Sequence, residues 1–190
     1  MVNLTRIYTR TGDQGTTRLA NNQSIPKWDP LLETYGTVDE ANSAIGVALC
    51  LATDQKLARI LSIIQNDLFD VGADLATPMD SASPALRVDS AWIERLEGWC
   101  DEFSEGLDSL RSFLLPGGSP LSAQLNMVRT IVRRAERDAW KAAEDRDINM
   151  VAIRYLNRLS DLMFIMGRYA NAVSGCDEVL WVPAASREMD

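Results

Sequence analysis

The sequence predicts an all-α protein, a bundle of five long helices behind an extended N-terminal segment. Three observations predict it. Apolar residues recur at spacings of three and four along five separate stretches. Short polar joints carrying capping residues separate those stretches. Strand evidence is thin: "RSFLLP" at 111–116 and "EVLWVP" near the C-terminus are short apolar runs, and neither needs to be a strand. Long amphipathic helices joined by short connections pack as an up-down bundle.

The first helix is expected to begin near "GTVDEANSAIGVALCLA", where Thr37 and Glu40 have capping-box spacing. The second, "DQKLARILSIIQNDLFDVGADLA", carries Leu57, Ile60, Leu61, Ile64, Leu68, Val71 and Leu75 as a core stripe. A helix of roughly 20 residues, about 30 Å long, accommodates that stripe. The third runs through "DSAWIERLEGWCDEFSEGL", with Asp89 as its N-cap. The fourth starts at "SPLSAQLNMVRTIVRRAERDAWKAA": Ser119 caps it and Pro120 suits its first turn. The fifth, "NMVAIRYLNRLSDLMFIMGRYANAVS", is closed by Gly175. One domain over 1–190 results, with an extended arm at 1–34, a helical body at 35–175 and a tail at 176–190.

The chain has 190 residues, enough to bury a substantial core. Its net charge of −8 repels nucleic acid and anionic membranes, so a basic patch on it is local. There is no histidine, which removes the usual zinc and haem ligands and any Ser-His or Cys-His catalytic pair. Cys50, Cys100 and Cys176 are far apart and form no CxxC pair. They read as reduced thiols of a cytoplasmic protein. "MVNLTRIYTR" has no apolar core of a signal segment, and no apolar run approaches about 18 residues.

Three stretches are candidates for carrying chemistry. In "YTRTGDQGTTRL" (8–19), Gly12 and Gly15 let successive N–H groups converge. Thr9, Thr11, Thr16 and Thr17 add hydroxyls, and Arg10 and Arg18 add charge. That composition suits a polyphosphate, and it also suits a flexible polar arm. No Walker A loop occurs. "RTIVRRAER" (129–137) puts four arginines and one glutamate in nine positions. At about 100° per residue, Asn126, Arg129, Arg133, Glu136, Arg137 and Trp140 share a face, with Arg134 to its side. Arginine forks bind phosphate oxygens, and Glu136 can orient one of them or help hold Mg²⁺ through water. A solvated face laced with ion pairs is the alternative. In "YLNRLSDLMF" (155–164) and its flanks, Arg154, Asn157, Asp161, Phe164 and Arg168 share a face of the fifth helix. Asn157 offers the donor and acceptor that a nucleotide edge needs, or a polar contact between helices. "FLLPGGSP" (113–120) shapes a tight turn ahead of a helix N-terminus, an anion-friendly place, and Phe113 is by default core.

Taken in order, "IYTRTGDQGTT", "YGTVDEANSAIG", "FLLPGGS", "RTIVRRAER" and "YLNRLSDLMF" resemble the PduO-type ATP:cob(I)alamin adenosyltransferases. The resemblance runs from residue 7 to about 171 and implies a homotrimer of ferritin-like five-helix bundles, with active sites between subunits. It implies transfer of the adenosyl group of ATP to the cobalt of a reduced corrinoid, releasing triphosphate. A non-catalytic carrier that hands adenosylcobalamin to a B12-dependent enzyme is the alternative. An electron donor, such as a flavoprotein, would be a separate protein. By position, Thr9, Arg10, Thr11, Gly12 and Thr17 match the family's phosphate-wrapping loop, and Lys27 matches an ATP-contacting lysine. Arg133, Arg134, Arg137 and Glu136 match its ATP and Mg²⁺ cluster, and Asn157 its nucleotide-contacting asparagine. Asp39 and Arg129 match a salt bridge between subunits. Phe113 matches the aromatic that displaces the lower axial ligand of the corrinoid. Two positions depart from the pattern. Asn126 stands where histidine is common, and Gly167 where alanine is usual.

Overall fold

Five helices form where the periodicity places them, in a computed structural model that describes residues 8–19, 21–80 and 85–186. They are α1 (Pro30–Leu51), α2 (Gln55–Leu75), α3 (Ser90–Ser104), α4 (Pro120–Ala142) and α5 (Met150–Val173). The start of the arm and the last residues of the tail lie outside the described residues.

Local sequence explains most helix ends. Asp54, Asp89 and Ser119 each accept a hydrogen bond from a first-turn backbone N–H, and Pro120 opens α4. After Val173 the chain turns at Ser174 and Gly175, whose φ is +63°. The start of α1 differs from expectation. It begins at Pro30 rather than near residue 35, because Asp29 Oδ1 accepts from Leu31 N–H and Pro30 is preset for a first turn. Thr37 is therefore inside the helix. Its hydroxyl caps nothing and donates to Asp138 Oδ2 at 2.9 Å.

Side-chain pairings give the helix directions. Thr37 with Asp138 and Glu40 with Arg134 make α1 and α4 antiparallel. Glu136 with Asn157 and Ser119 with Asn171 do the same for α4 and α5. Trp92 faces Tyr155 and Phe103 faces Tyr169, so α3 runs parallel to α5. The whole α2 stripe named above is buried, together with Ile45, Leu96, Phe103, Leu125, Val128, Val132, Leu156, Leu159 and Met163.

Two features beyond the helices went unexpected. The arm folds into an antiparallel hairpin, β1 (Thr16–Arg18) with β2 (Ser24–Pro26), Thr17 opposite Ile25. Each strand is too short to show alternation, and Asn22 at φ +64° makes the turn without glycine. The two apolar runs set aside as strands pair with each other through an isolated bridge, Leu114 to Leu180. A 3-10 turn, Ala184–Ser186, follows.

Three buried carboxylates tie separate elements together. Asp74 Oδ1 accepts from Arg87 at 2.5 Å, and its other oxygen accepts from Val88 N–H and Asn149 Nδ2. Asp29 pairs with Arg146 at 2.5 Å. Asp67 pairs with Arg95 and accepts the Tyr155 hydroxyl at 2.9 Å. Burial, then the Asp67 charge, push the Tyr155 hydroxyl well above its ordinary range. No helix among the described residues is long and apolar enough to cross a membrane.

Candidate active site

Residues 8–19 wind tightly ahead of and into the hairpin. Arg10 and Gly15 both have positive φ, 61° and 79°, and Gly15 N–H donates to Gly12 O at 3.2 Å. A non-glycine residue held there marks a segment whose conformation its surroundings impose. The result is a cleft of about 530 Å³ lined by Thr11, Gly12, Thr16, Thr17, Arg18 and Ser24. Thr9 and Thr11 share a hydroxyl hydrogen bond of 2.9 Å. Lys27 reaches back across the loop: a Cβ added at Gly12 would lie 3.0 Å from both its Cε and its Nζ. The cleft thus collects the side chains of Thr11, Thr16, Thr17, Arg18 and Ser24, with the Lys27 ammonium close to Gly12 at its edge.

The α4 face is built by its own core stripe. Leu121, Leu125, Val128, Val132, Ala135, Ala139 and Ala142 are buried, which turns Arg133, Arg137 and Trp140 outward. Among the described residues no hydrogen bond or ion pair engages the Arg133 guanidinium. Among the same residues Arg137 donates only to the Arg133 carbonyl, at 3.0 Å. Glu136 Oε1 accepts from Asn157 Nδ2 at 3.0 Å, so α5 fixes the acid beside the two arginines. Arg129 has a buried Nε with no partner among the described residues. Burial, then the neighbouring Arg133 charge, push its guanidinium below the usual range. Arg134 does not join this face: it pairs with Glu40 of α1.

Several expected neighbours do not meet within one chain. No hydrogen bond or ion pair joins residues 9–18 to the α4 arginines among the described residues, and none joins the exposed Asp39 to Arg129. On α5, Asp161 is taken by Arg158 at 2.7 Å.

A second region lies at the other end of α4. Phe113 is not core: it is 79% exposed and meets Trp181 edge-to-face, with centroids 6.2 Å apart. Leu115 N–H donates to Val179 O at 2.9 Å, and Trp181 N–H donates to Phe113 O at 2.7 Å. Arg168 fastens this tail segment by a two-pronged pair with Glu178, at 2.8 and 3.0 Å. Beside it is a cleft of about 540 Å³ whose lining includes Asp108, Arg111, Arg168 and Glu178. Asn126 and Gly167, the two positions that depart from the family pattern, touch. A Cβ on Gly167 would lie 3.4 Å from Asn126 Nδ2, which itself donates to Ser122 O. Both residues are smaller than the histidine and alanine that the family pattern has there, so the two departures fall in one small region between α4 and α5. Sequence reasoning missed Trp181, Glu178 and Glu40. The available signal for the first two was the pair of short apolar runs of similar length, each able to satisfy the other's backbone.

Comparison with known proteins identifies the family. The family model described as "Cobalamin adenosyltransferase" matches residues 7–170. A corrinoid adenosyltransferase of Mycobacterium leprae is 53% identical over 190 residues, covering 96% of this chain and 98% of the relative. One of Mus musculus is 38% identical over 182 residues, covering 93% and 77%. Among solved structures, a phenylalanine-to-alanine variant of the PduO-type ATP:corrinoid adenosyltransferase from Lactobacillus reuteri, complexed with cobalamin and ATP, superposes with a TM-score of 0.89. It is 37% identical and covers 93% of this chain and 99% of that one. The matching family model over residues 7–170 and relatives alike along nearly the whole chain show that the chain belongs to the cobalamin adenosyltransferase family.

Proposed function

We infer that this protein transfers the 5′-deoxyadenosyl group of ATP to the cobalt of a reduced corrinoid, giving the adenosylated corrinoid and triphosphate. The observation that carries the reading is the pair of exposed guanidinium groups, Arg133 and Arg137, beside an acid that Asn157 holds in place. Cobalt(I) supplies the electron pair that forms the Co–C5′ bond. The C5′–O bond breaks, and its electrons leave with triphosphate. No protein base is needed, in keeping with a chain that has no histidine. The protein's task is to align the two reactants and to stabilise the charge gathering on the leaving group. Arg133 and Arg137 do the second, and Asn157 helps hold the nucleotide. Thr9, Arg10, Thr11, Gly12, Thr17 and Lys27 wrap the phosphates. Because arm and arginine face are separate within a chain, the arm closes the site of a neighbouring subunit. That requires an oligomer, and a homotrimer of ferritin-like bundles satisfies it. Asp39, exposed on one subunit, would then meet the half-buried guanidinium of a neighbour's Arg129.

Glu136 suits Mg²⁺. It is a single carboxylate with one oxygen on Asn157, and no group of three or more His, Cys, Asp or Glu residues gathers among the described residues. Mg²⁺ is commonly held by one or two carboxylates, water and substrate phosphates, so Glu136 through water is an adequate protein share. When bound, the ion neutralises phosphate charge.

Phe113 excludes the lower axial ligand and water from one face of the corrinoid, which makes cobalt(II) easier to reduce. Its exposure is what that task demands of it. A separate electron donor, such as a flavoprotein, and a B12-dependent acceptor of the product complete the scheme, with the protein working in the cytoplasm. The test is a cob(I)alamin adenosylation assay with ATP and Mg²⁺, followed by the corrinoid spectrum. Repeated turnover is expected, and a single stoichiometric burst would mark a carrier instead. Arg133→Ala should lose ATP use by about a hundredfold or more. Phe113→Ala should keep ATP binding and slow adenosylation from cobalt(II). Normal cobalt(II) turnover in Phe113→Ala would remove the axial-ligand role.

A further inference from the structure

The arginines of α4 divide into two sets with different partners. From Arg133, Arg137 lies about 40° round the helix axis, whereas Arg134 lies about 100° away. The consequence is visible: Arg133 and Arg137 face outward, and Arg134 is drawn onto α1 by Glu40. This ion pair belongs to a seam. Thr37 Oγ1 donates to Asp138 Oδ2 at 2.9 Å, and Gln124 Nε2 donates to Ala44 O at 2.9 Å. Thr37 and Glu40 are three apart on α1, and Arg134 and Asp138 four apart on α4. Each is a neighbour spacing on one helix face, so the two pairs set the rotation of α4 against α1. Turning α4 about its axis until Arg134 took the outward direction of Arg133 would break both. It would also swing the buried Val132 and Ala135 out of the core.

We propose that Glu40 is a positioning residue of the active site, and that Arg134 acts through it rather than on ATP. The pair takes one cation out of the anion-binding face and fixes the angle at which α4 presents Arg133 and Arg137. It also sets the turn of α1 that carries Asp39. This inference rests on the reading of the Arg133 and Arg137 face as the triphosphate site.

A double-mutant cycle tests it. Glu40→Gln, Arg134→Gln and the double variant are compared in KM for ATP, kcat and melting temperature, with Arg133→Gln as control. An exposed pair that sets geometry should give about a two- to fivefold rise in KM for ATP in each single variant. The double variant should be no worse than the worse single, because both remove one interaction. If the glutamine variants fold poorly, the charge exchange Glu40→Arg with Arg134→Glu replaces them and should recover KM toward wild type. A tenfold rise in Arg134→Gln with no change in Glu40→Gln would make Arg134 a phosphate ligand and overturn the proposal. A lower melting temperature with KM for ATP unmoved in both singles would make the pair purely structural and overturn it as well. If Arg133→Gln also left KM for ATP unmoved, the phosphate-site reading would fall, and this inference with it.

Discussion

Arg129 shows how a single residue can point beyond its own chain. Its Nε is buried without a partner, and burial with the Arg133 charge disfavours its cation. An unsatisfied donor of a charged group is costly, and a carboxylate from a neighbouring subunit would reach the half-buried guanidinium through its accessible nitrogens rather than through Nε. Arg129→Gln should accordingly weaken subunit association, which sedimentation at falling protein concentration would reveal; unchanged association would sink the intersubunit bridge. Cys100 presents the opposite case, a titratable group with nothing to do. Burial, then Asp161, raise its thiol to about 11. The ordinary value is 9.0, so the thiol binds its proton more tightly folded than unfolded. At pH 8 its thiolate fraction falls about a hundredfold below that of a free cysteine, and iodoacetamide should label it correspondingly slowly by peptide mass analysis. The same sign makes its contribution to stability present below pH 9 and lost as pH rises toward 11. Gly118 is a third: φ is +95°, and a Cβ would fall 2.3 Å from Asn171 Oδ1. That oxygen accepts from Ser119 N–H at the mouth of α4. Gly118→Ala should cost about 2–3 kcal/mol in urea unfolding.

At the scale of elements, caps and stripes decide where each helix lies, and both are local. Asp54 accepts from Leu57 N–H, and Asp54→Ala should cost about 1 kcal/mol by thermal or urea unfolding without disturbing the site. Where expectation failed, a competing local signal won. Thr37 and Glu40 have capping-box spacing, yet Asp29-Pro30 starts the helix upstream and leaves both side chains to reach α4. The apolar runs around Phe113 and Trp181 were legible as apolar but not as partners. Their pairing spans sequence far apart, and no periodicity within either run announces it. The hairpin was hidden for a different reason, since three residues per strand carry too little pattern.

For the molecule as a whole, the buried stripes of α1, α2, α4 and α5 supply the stability on which the exposed site depends. Leu61 is fully buried, and Leu61→Ala should cost about 2–5 kcal/mol. ATP with Mg²⁺ at 100 times its Kd should add about 2.7 kcal/mol, read as a rise in Tm. A flat Tm would mean that the arginine face binds no nucleotide. The sequence by itself determined the five helices, most of their caps, the core stripes and the grouping of Arg133, Glu136 and Arg137. Each of these follows from spacing along a helix of known pitch, so neighbours in space are neighbours in sequence. Only the tertiary structure decided that Arg134 belongs to Glu40, that Asn157 holds Glu136, and that the tail clasps the Phe113 loop. Those contacts depend on how one element is rotated and seated against another. That is settled by packing across long chain separations, which a local pattern does not encode.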